Sequence, residues 1–408
     1  MIEATIGGAP IPDQPDLARM GVERSAKLHA SMRAEQLDAV VLLSSGACSY
    51  AAGCRTPAVD SSRAVLMRTV VIVRADDPLP HLFTPYPEGA PPDLPLDHVH
   101  PALYPDLDDG AAALVRAVRD VLPRAGATVG VDDLPFPLAR ALSAFTLVGA
   151  GTTVASAKLR KTPDELACLR TAQRITEAAM SEVQPLLRAG VTQHALTAAF
   201  VGSLYSLGPV SNGIDPVWQA MPRTQSAGPW TADGEVAFPT ASTGRVLDDG
   251  DVVWVDAGVH YQGYASDFGR TWLVGQEEPS KAQASQYRRW RTVIDATLAV
   301  CRPGATGLAL TEAAIAAADG ARPWLKRFYL SHGVGTDNAE APLIGTDLGE
   351  RHDEQIVLEP GMILVLEPVI WDEGNAGYRA EDIYVITDAG WACLSNFPYA
   401  PFGLSGVS

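Results

Sequence analysis

Cysteine is sparse and shows no pairing pattern: Cys48, Cys54, Cys168, Cys301 and Cys393 are odd in number, widely spread and without a CxxC spacing. This argues against a disulfide framework and for reduced thiols in a cytoplasmic protein. Cys48 and Cys54, close as they are, read as small buried residues. No apolar run approaches the roughly 20 residues that a membrane helix needs, so no membrane partner is expected. The opening stretch MIEATIGGAPIPDQPD has no basic segment followed by an apolar core and does not read as a secretion signal. Basic residues are in deficit, 31 Lys and Arg against 48 Asp and Glu, for a formal net charge of -17. Phosphate binding depends on a basic surface, so nucleic acid is disfavoured as a partner.

What is present is a chain of 408 residues with 47% hydrophobic content, long enough for two domains with ordinary globular cores. Residues 1–155 alternate helical and strand patterns. A helix is expected over Asp16–Gln36, a strand over Ala39–Leu43 and a loop with a short helix over Ser44–Gly53. Strands follow at Val65–Val73 and His81–Phe83, an irregular Pro-rich segment at Pro87–Pro95, a helix at Gly110–Leu122, a strand at Val129–Val131 and a helix at Leu138–Phe145. This describes a small α/β domain. The second domain, 156–408, opens with Thr162-Pro163-Asp164-Glu165, a helix start with its cap, its N1 proline and its acidic third position. That helix is expected to reach Arg188, and the next to run from Val191 to Leu207. Residues 208–240 read as a long loop carrying Trp218 and Trp230, either pocket lining or anchors to the core.

Chemistry concentrates further on. In DVVWVDAGVHYQGYASDFGRTWLVG, residues 251–275, two β-prone runs flank a turn. A turn centred between Tyr261 and Gln262 sets Asp256 opposite Asp267, with Cβ atoms roughly 5 Å apart. In GMILVLEPVIWDEGNAGYRAEDIYVIT, residues 361–387, Glu367 and Glu381 are symmetric about Gly374. Between the hairpins, Ser331-His332-Gly333-Val334-Gly335 offers one imidazole. Carboxylates that close need a cation or a proton. Four carboxylates and one histidine suit two divalent ions such as Mn, Co, Fe or Zn better than a closed structural zinc site.

The stretches VDAGVHYQGYASDFGRT, HGVGTDNAEAPLIG and LEPGMILVLEP followed by YRAEDIYVITDAG resemble the pita-bread metallopeptidases, a family that includes Xaa-Pro aminopeptidases, prolidases and the non-peptidase creatinase. The resemblance implies a creatinase-like N-terminal α/β domain followed by a pita-bread catalytic domain, α/β and α+β in class. It also implies that Asp256 chelates one metal, that Asp267 and Glu381 bridge both, and that His332 and Glu367 complete the other. Glu367 then exchanges a proton, Arg379 orients the bridging carboxylate, and a metal-bridging hydroxide cleaves a C–N bond. A small peptide or modified amino acid is the expected substrate, and a homodimer the expected assembly.

The chain departs from the peptidases at two positions. Where they carry substrate-facing histidines, this sequence has Thr240 and Ala339. With Glu340 and Trp230, these are the candidate substrate-binding positions. A positioned proton donor contributes about 10²- to 10⁴-fold. Aminopeptidase activity is therefore expected to be weak unless His260, His352 or a partner's residue substitutes. The alternative is changed chemistry, a creatinase-like amidinohydrolase or a lyase acting on a small metabolite.

Overall fold

The computed structural model describes residues 5–6, 9–10, 14–54, 67–122, 124, 126–208, 210–221, 231–232, 235–236, 244–275, 278–325, 328–400 and 402. It divides into two compact units, one spanning Pro15–Asp164 and the other containing Glu165–Ser408. No described helix is long and apolar enough to cross a membrane.

The first unit is built on helix α1 (Leu17–Ala34), strand β1 (Ala39–Leu42), helix α2 (Ser45–Ala52) and strands β2 (Val70–Arg74), β3 (His81–Thr84) and β4 (Val99–Pro101). Helix α3 (Asp108–Val121), strand β5 (Thr128–Val131), helix α4 (Phe136–Ala141), strand β6 (Thr146–Gly149) and helix α5 (Gly151–Lys158) complete it. The Asp16 side chain caps α1 by accepting from the Arg19 amide at 3.0 Å. The sheet order is β4-β3-β2-β1-β5-β6, mixed in direction, with β1, β5 and β6 parallel. Its central strands are apolar on both faces because both are covered. Val41 and Ile72 pack with Leu114, Val118 and Leu138, whereas Val40, Leu42 and Val71 pack with Leu28, Met32, Tyr50 and Val154.

Several details of this unit differ from the expectation, among them the short strand β4, which was not expected. The helix anticipated at Leu138–Phe145 begins and ends earlier, since Pro137 sits in its first turn, where a missing N–H costs nothing. Strand β6 and helix α5 have no counterpart among the expected elements, and residue 155 lies inside α5. TLVG is too short for its alternation to register, and GTTVASAK has little amphipathic pattern.

Helix α6 (Pro163–Val183), whose first two residues still belong to the first unit, leads into the second; it is shorter than expected because Pro185 turns the chain into a 3-10 segment, Gln184–Leu186. Helix α7 (Gln193–Leu207) is capped by Thr192, which accepts from the Ala195 amide. A ten-residue strand, β7 (Ser211–Ala220), then runs where a loop was expected. Its Gly, Asn, Asp and Pro residues masked it, and pairing with a neighbour overrides those weak local preferences. Strands β8 (Val252–Tyr261), β9 (Tyr264–Ala265) and β10 (Phe268–Leu273) follow, β8 lying between β7 on one side and β9 and β10 on the other.

Helix α8 (Lys281–Val300) begins with a reciprocal Ser280–Gln283 capping box, and helix α9 (Gly307–Ala317) packs beside it. Strands β11 (Ser331–Gly333) and β12 (Glu340–Ile344), helix α10 (Glu350–Gln355) and strand β13 (Ile363–Leu366) come next. Strands β14 (Val369–Asp372), β15 (Ala376–Arg379), β16 (Asp382–Thr387) and β17 (Gly390–Cys393) close the fold. The larger sheet runs β12-β11-β13-β16-β17, and β14 pairs with β15. Helix α8 holds that pair: Gln286 Nε2 donates to the carbonyls of Ile370 and Ala376, and Trp290 Nε1 to that of Pro368.

One buried cation joins the two sheets. Arg270 is 1% exposed; it donates through NH1 to the carbonyls of Gly269 and Glu381 at 2.7 and 2.8 Å. Its NH2 reaches Asp382 Oδ1 at 2.9 Å and the Phe397 carbonyl at 2.8 Å. Replacing one partner of a buried ion pair strands the other charge. Arg270→Met is therefore expected to destabilise this unit by about 3–5 kcal/mol. All 8 tryptophans lie at or beyond Trp218, so tryptophan emission during urea unfolding reports the second unit alone and measures the loss.

Candidate metal centre

The first hairpin is offset from its expected register. Asp256 pairs with Gly269 and Val255 with Arg270, while His260 and Tyr261 pair with Ala265 and Tyr264. The turn is therefore Gln262-Gly263, where both residues take positive φ, 53° and 83°, as a tight two-residue hairpin turn requires. A slip of two preserves side-chain parity. Asp267 still shares a face with Asp256, but diagonally and just before β10 rather than directly opposite.

The second hairpin keeps the expected register throughout. Val369 pairs with Arg379 and Leu366 with Asp382, so Glu367 and Glu381 fall opposite each other where the two ladders meet. His332 pairs with Val365, which places its ring on the face of Glu367, one diagonal step away. A single antiparallel bridge, Gly269 with Glu381, then joins this hairpin to the first. Gly269 thus lies between Asp256 on one side and Glu381 on the other. A Cβ there would come within 2.6 Å of the Glu381 carboxyl carbon, so glycine is what lets the glutamate lean across.

The outcome is one buried cluster. One carboxylate oxygen from each of Asp256, Asp267 and Glu381 lies within 4.8 Å of the other two. His332 Nε2 is 3.2 Å from Asp267 Oδ2 and 3.5 Å from Glu367 Oε1, and its Nδ1 lies 2.8 Å from the Gly333 carbonyl. That carbonyl can only accept, so Nδ1 carries a proton and Nε2 faces the carboxylates. Arg379 NH2 lies 2.7 Å from Glu367 Oε2 and 3.3 Å from Asp256 Oδ2, and it also touches Glu381. Thr271 Oγ1 fixes Arg379 from behind, donating to its carbonyl and accepting from its amide. Gln173 Oε1 accepts the Asp267 amide at 3.3 Å, and Trp254 Nε1 ties β8 to the Gly377 carbonyl.

The electrostatics follow from crowding. Burial, opposed by Arg379, leaves the carboxyls of Asp256 and Glu367 above the ordinary carboxylate range. Burial would lower His332, but its hydrogen bond to Asp267 and the charges of Asp267 and Glu367 outweigh that and raise it to about 9. Glu367 Oε1 and Glu381 Oε2 are buried without a hydrogen bond. Orphaned carboxylate oxygens cost free energy unless something positive meets them. Four oxygen donors and one imidazole fit hard-to-borderline divalent ions.

The other candidates are scattered. Ala339 is exposed, and Glu340 is half-buried with Oε2 3.4 Å from the Asp337 amide. His260 Nε2 bonds Asn338 Oδ1 at 2.9 Å, and His352 Nε2 donates to the Leu343 carbonyl at 3.2 Å. Trp218 is an anchor, fully buried and donating to Thr197 Oγ1. Thr240 and Trp230 lie outside the described residues. Gly269 and Arg270 are functional residues that the sequence alone does not single out, although both stand within the stretch that carries Asp256 and Asp267. The face-based reading looks for carboxylates, and Arg270 points to the opposite face from Asp267.

Comparison with known proteins gives this geometry its context. The model of metallopeptidase family M24 matches residues 167–388. A probable dipeptidase PepE from Mycobacterium tuberculosis is 30% identical over 301 residues, 71% of this chain and 73% of that protein. An Xaa-Pro dipeptidase from Lactobacillus delbrueckii subsp. lactis is 31% identical over 242 residues, 58% of this chain and 60% of that protein. Among solved structures, the X-Pro aminopeptidase from Thermotoga maritima superposes with a TM-score of 0.73 at 20% identity, covering 93% of this chain and 99% of its own. The dipeptidase PepE from Mycobacterium ulcerans gives 0.68 at 24% identity, covering 95% and 98%. The fold is accordingly the pita-bread arrangement that the motifs led one to expect.

Two measurements probe the cluster. Gly269→Ala forces a methyl into the Glu381 side chain, an overpacking that typically costs about 1–3 kcal/mol, and it should lower both the tryptophan-monitored unfolding midpoint and divalent-ion binding. In metal-free protein, His332 has a folded value above its unfolded 6.5, so its stabilising contribution is complete below about pH 6.5 and lost as pH climbs through about 9. Imidazole NMR titration, assigned with His332→Gln, should find that midpoint; a midpoint at or below 6.5 would refute the ion pairing.

Proposed function

The chain belongs to metallopeptidase family M24, and we propose that this metal-dependent hydrolase cleaves the C–N bond of a small peptide, with an Xaa-Pro dipeptide as the leading substrate. The observation that carries the reading is the convergence of Asp256, Asp267 and Glu381 on one buried point, with His332 and Glu367 against it. The similarity to proteins named dipeptidase and Xaa-Pro dipeptidase supports the substrate class.

In this reading Asp256, Asp267, His332, Glu367 and Glu381 hold two divalent ions. Such ions supply Lewis acidity toward a carbonyl oxygen and a strong oxygen nucleophile near neutral pH. The chain's own residues do the rest. His332 presents Nε2 because Nδ1 is bonded to the Gly333 carbonyl. Arg379 spans Glu367, Asp256 and Glu381, keeping three carboxylates at fixed spacing. Its own backbone is clamped by Thr271. Glu367, held above the ordinary carboxylate range by burial, is the group suited to take a proton from the nucleophile and pass it to the leaving nitrogen. Free thiols at all five cysteines support the cytoplasm as the compartment, and the family resemblance supports a homodimer.

One observation keeps a second reading in play. At the position of a substrate-facing histidine in the peptidases this chain has exposed Ala339, which offers no ring nitrogen. A site without that donor is compatible with changed chemistry, such as creatinase-like hydrolysis of an amidine or another small metabolite.

The test is to strip the protein with a chelator, reload it with Mn, Co, Fe or Zn, and assay Xaa-Pro dipeptides, longer Xaa-Pro peptides and creatine-like amidines. We expect metal-restored turnover of dipeptides, reduced by about 10²-fold or more in Glu367→Gln. Turnover of amidines alone would replace the peptide reading with the second one. A protein that binds no divalent ion would overturn both.

A further inference from the structure

At the edge of the first unit's sheet stands a histidine group that the reaction does not use. His81 opens β3, His100 lies in β4, and His98 closes the short 3-10 turn Leu96–His98 that leads into β4. Parallel pairing of Phe83 with His100 and Leu82 with Val99 brings the three together. The His81 ring stacks on His98 at 4.2 Å and on His100 at 5.4 Å. Asp77, in the turn between β2 and β3, completes the group. One oxygen of Asp77 and one ring nitrogen from each of His81 and His98 lie within 4.8 Å of one another, and all three residues are half-buried.

Each of the three residues is bonded to a neighbour. His98 Nδ1 lies 3.1 Å from the Pro80 carbonyl, which can only accept, so the proton is on Nδ1 and the Nε2 lone pair is free. His81 Nδ1 and His100 Nε2 are 3.1 Å apart and share one proton. With that proton on His81, its Nε2 also presents a lone pair while His100 accepts. A metal-ligating imidazole is typically fixed this way, its other nitrogen bonded to a neighbour. The Asp77 turn is set in place too: Asp77 Oδ1 accepts the Leu79 amide at 3.0 Å, and its carbonyl accepts from buried His29 of α1 at 2.8 Å. The nearby cation Arg74 is bonded to Asp76 through both Nε and a terminal nitrogen.

We propose that Asp77, His81 and His98 form a second metal site, separate from the carboxylate cluster, for a borderline divalent ion such as Zn²⁺ or Cu²⁺. Two imidazoles and one carboxylate select that class over Mg²⁺ or Ca²⁺, and three protein ligands leave a coordination position open to water. Binding requires the His81 and His98 rings to fan out of their 12° stack, a rotation their half-exposed position permits. An ion there clamps the turn before β3 to the turn before β4.

The test uses the full-length chain, stripped by chelator and dialysed against Zn²⁺, with bound metal counted by mass spectrometry. The His81→Gln/His98→Gln double variant should hold one equivalent fewer per chain than the unmodified protein, with the hydrolytic activity and the carboxylate-site equivalents unchanged. Paramagnetic resonance of bound Cu²⁺ should show two imidazole nitrogens on one ion, a signature the cluster around the single His332 does not produce, and the double variant should lose it. Asp77→Asn, a mild change in a turn, should weaken the site about 10-fold and serves if the double variant fails to fold. Equal zinc content in variant and unmodified protein, absence of the two-imidazole signature, or unaltered affinity in Asp77→Asn would each overturn the proposal.

Discussion

The second unit depends on one narrow place, the single backbone bridge between Gly269 and Glu381. On one side of it Arg270 bonds both carbonyls of the bridge and then Asp382, so a fully buried guanidinium fixes the two sheets at this spacing. On the other side the absent Cβ of Gly269 lets the Glu381 carboxylate lie across the strand toward Asp256. The same two residues therefore set both the fold and the distance between carboxylates. Burying that much negative charge is costly unless it is paired. Arg379 and His332 offset part of the cost, and the buried oxygens they leave unbonded define where a cation belongs.

Parity explains how five distant residues converge. Opposed and diagonal neighbours on antiparallel strands point to one side of a sheet. His332, Glu367, Glu381, Asp256 and Asp267 all follow that rule across two sheets joined at Gly269. Further side chains hold these residues in place: Thr271, on the same strand face as Asp267, bonds the Arg379 backbone, Gln173 of α6 accepts the Asp267 amide, and Trp290 and Gln286 of α8 bond the backbone of the second hairpin. These partners turn a merely possible cluster into one with a defined geometry.

Much of this was legible in the order of residues. The symmetry of Glu367 and Glu381 about Gly374 was readable because the turn between them is the true centre of the hairpin. The first hairpin differs by two positions because the expected turn is centred one residue too early, on Tyr261 and Gln262, whereas Gly263 is the residue that accepts positive φ; the face survives since two is the period of a strand. Strand β7 was hidden by residues that locally favour turns and that pair only because β8 is beside them. Arg270 was hidden for a different reason: its partners are mostly carbonyls, and backbone acceptors leave no trace in composition. Helix α5 and strand β6 were too short to show a period.

The Arg270–Glu381 contact closes a loop of 111 residues. Loop-closure entropy rises only slowly with length, but it must be met before the contact returns anything. Local hairpins and helices can form early, whereas the joining of the sheets is a late event in folding. A nascent chain therefore passes through states that have both carboxylate pairs but not their common point, and divalent ions can favour only the finished arrangement. Were divalent ions to occupy that common point, their supply during synthesis would bear on how much of the chain completes its fold, quite apart from how fast it turns over.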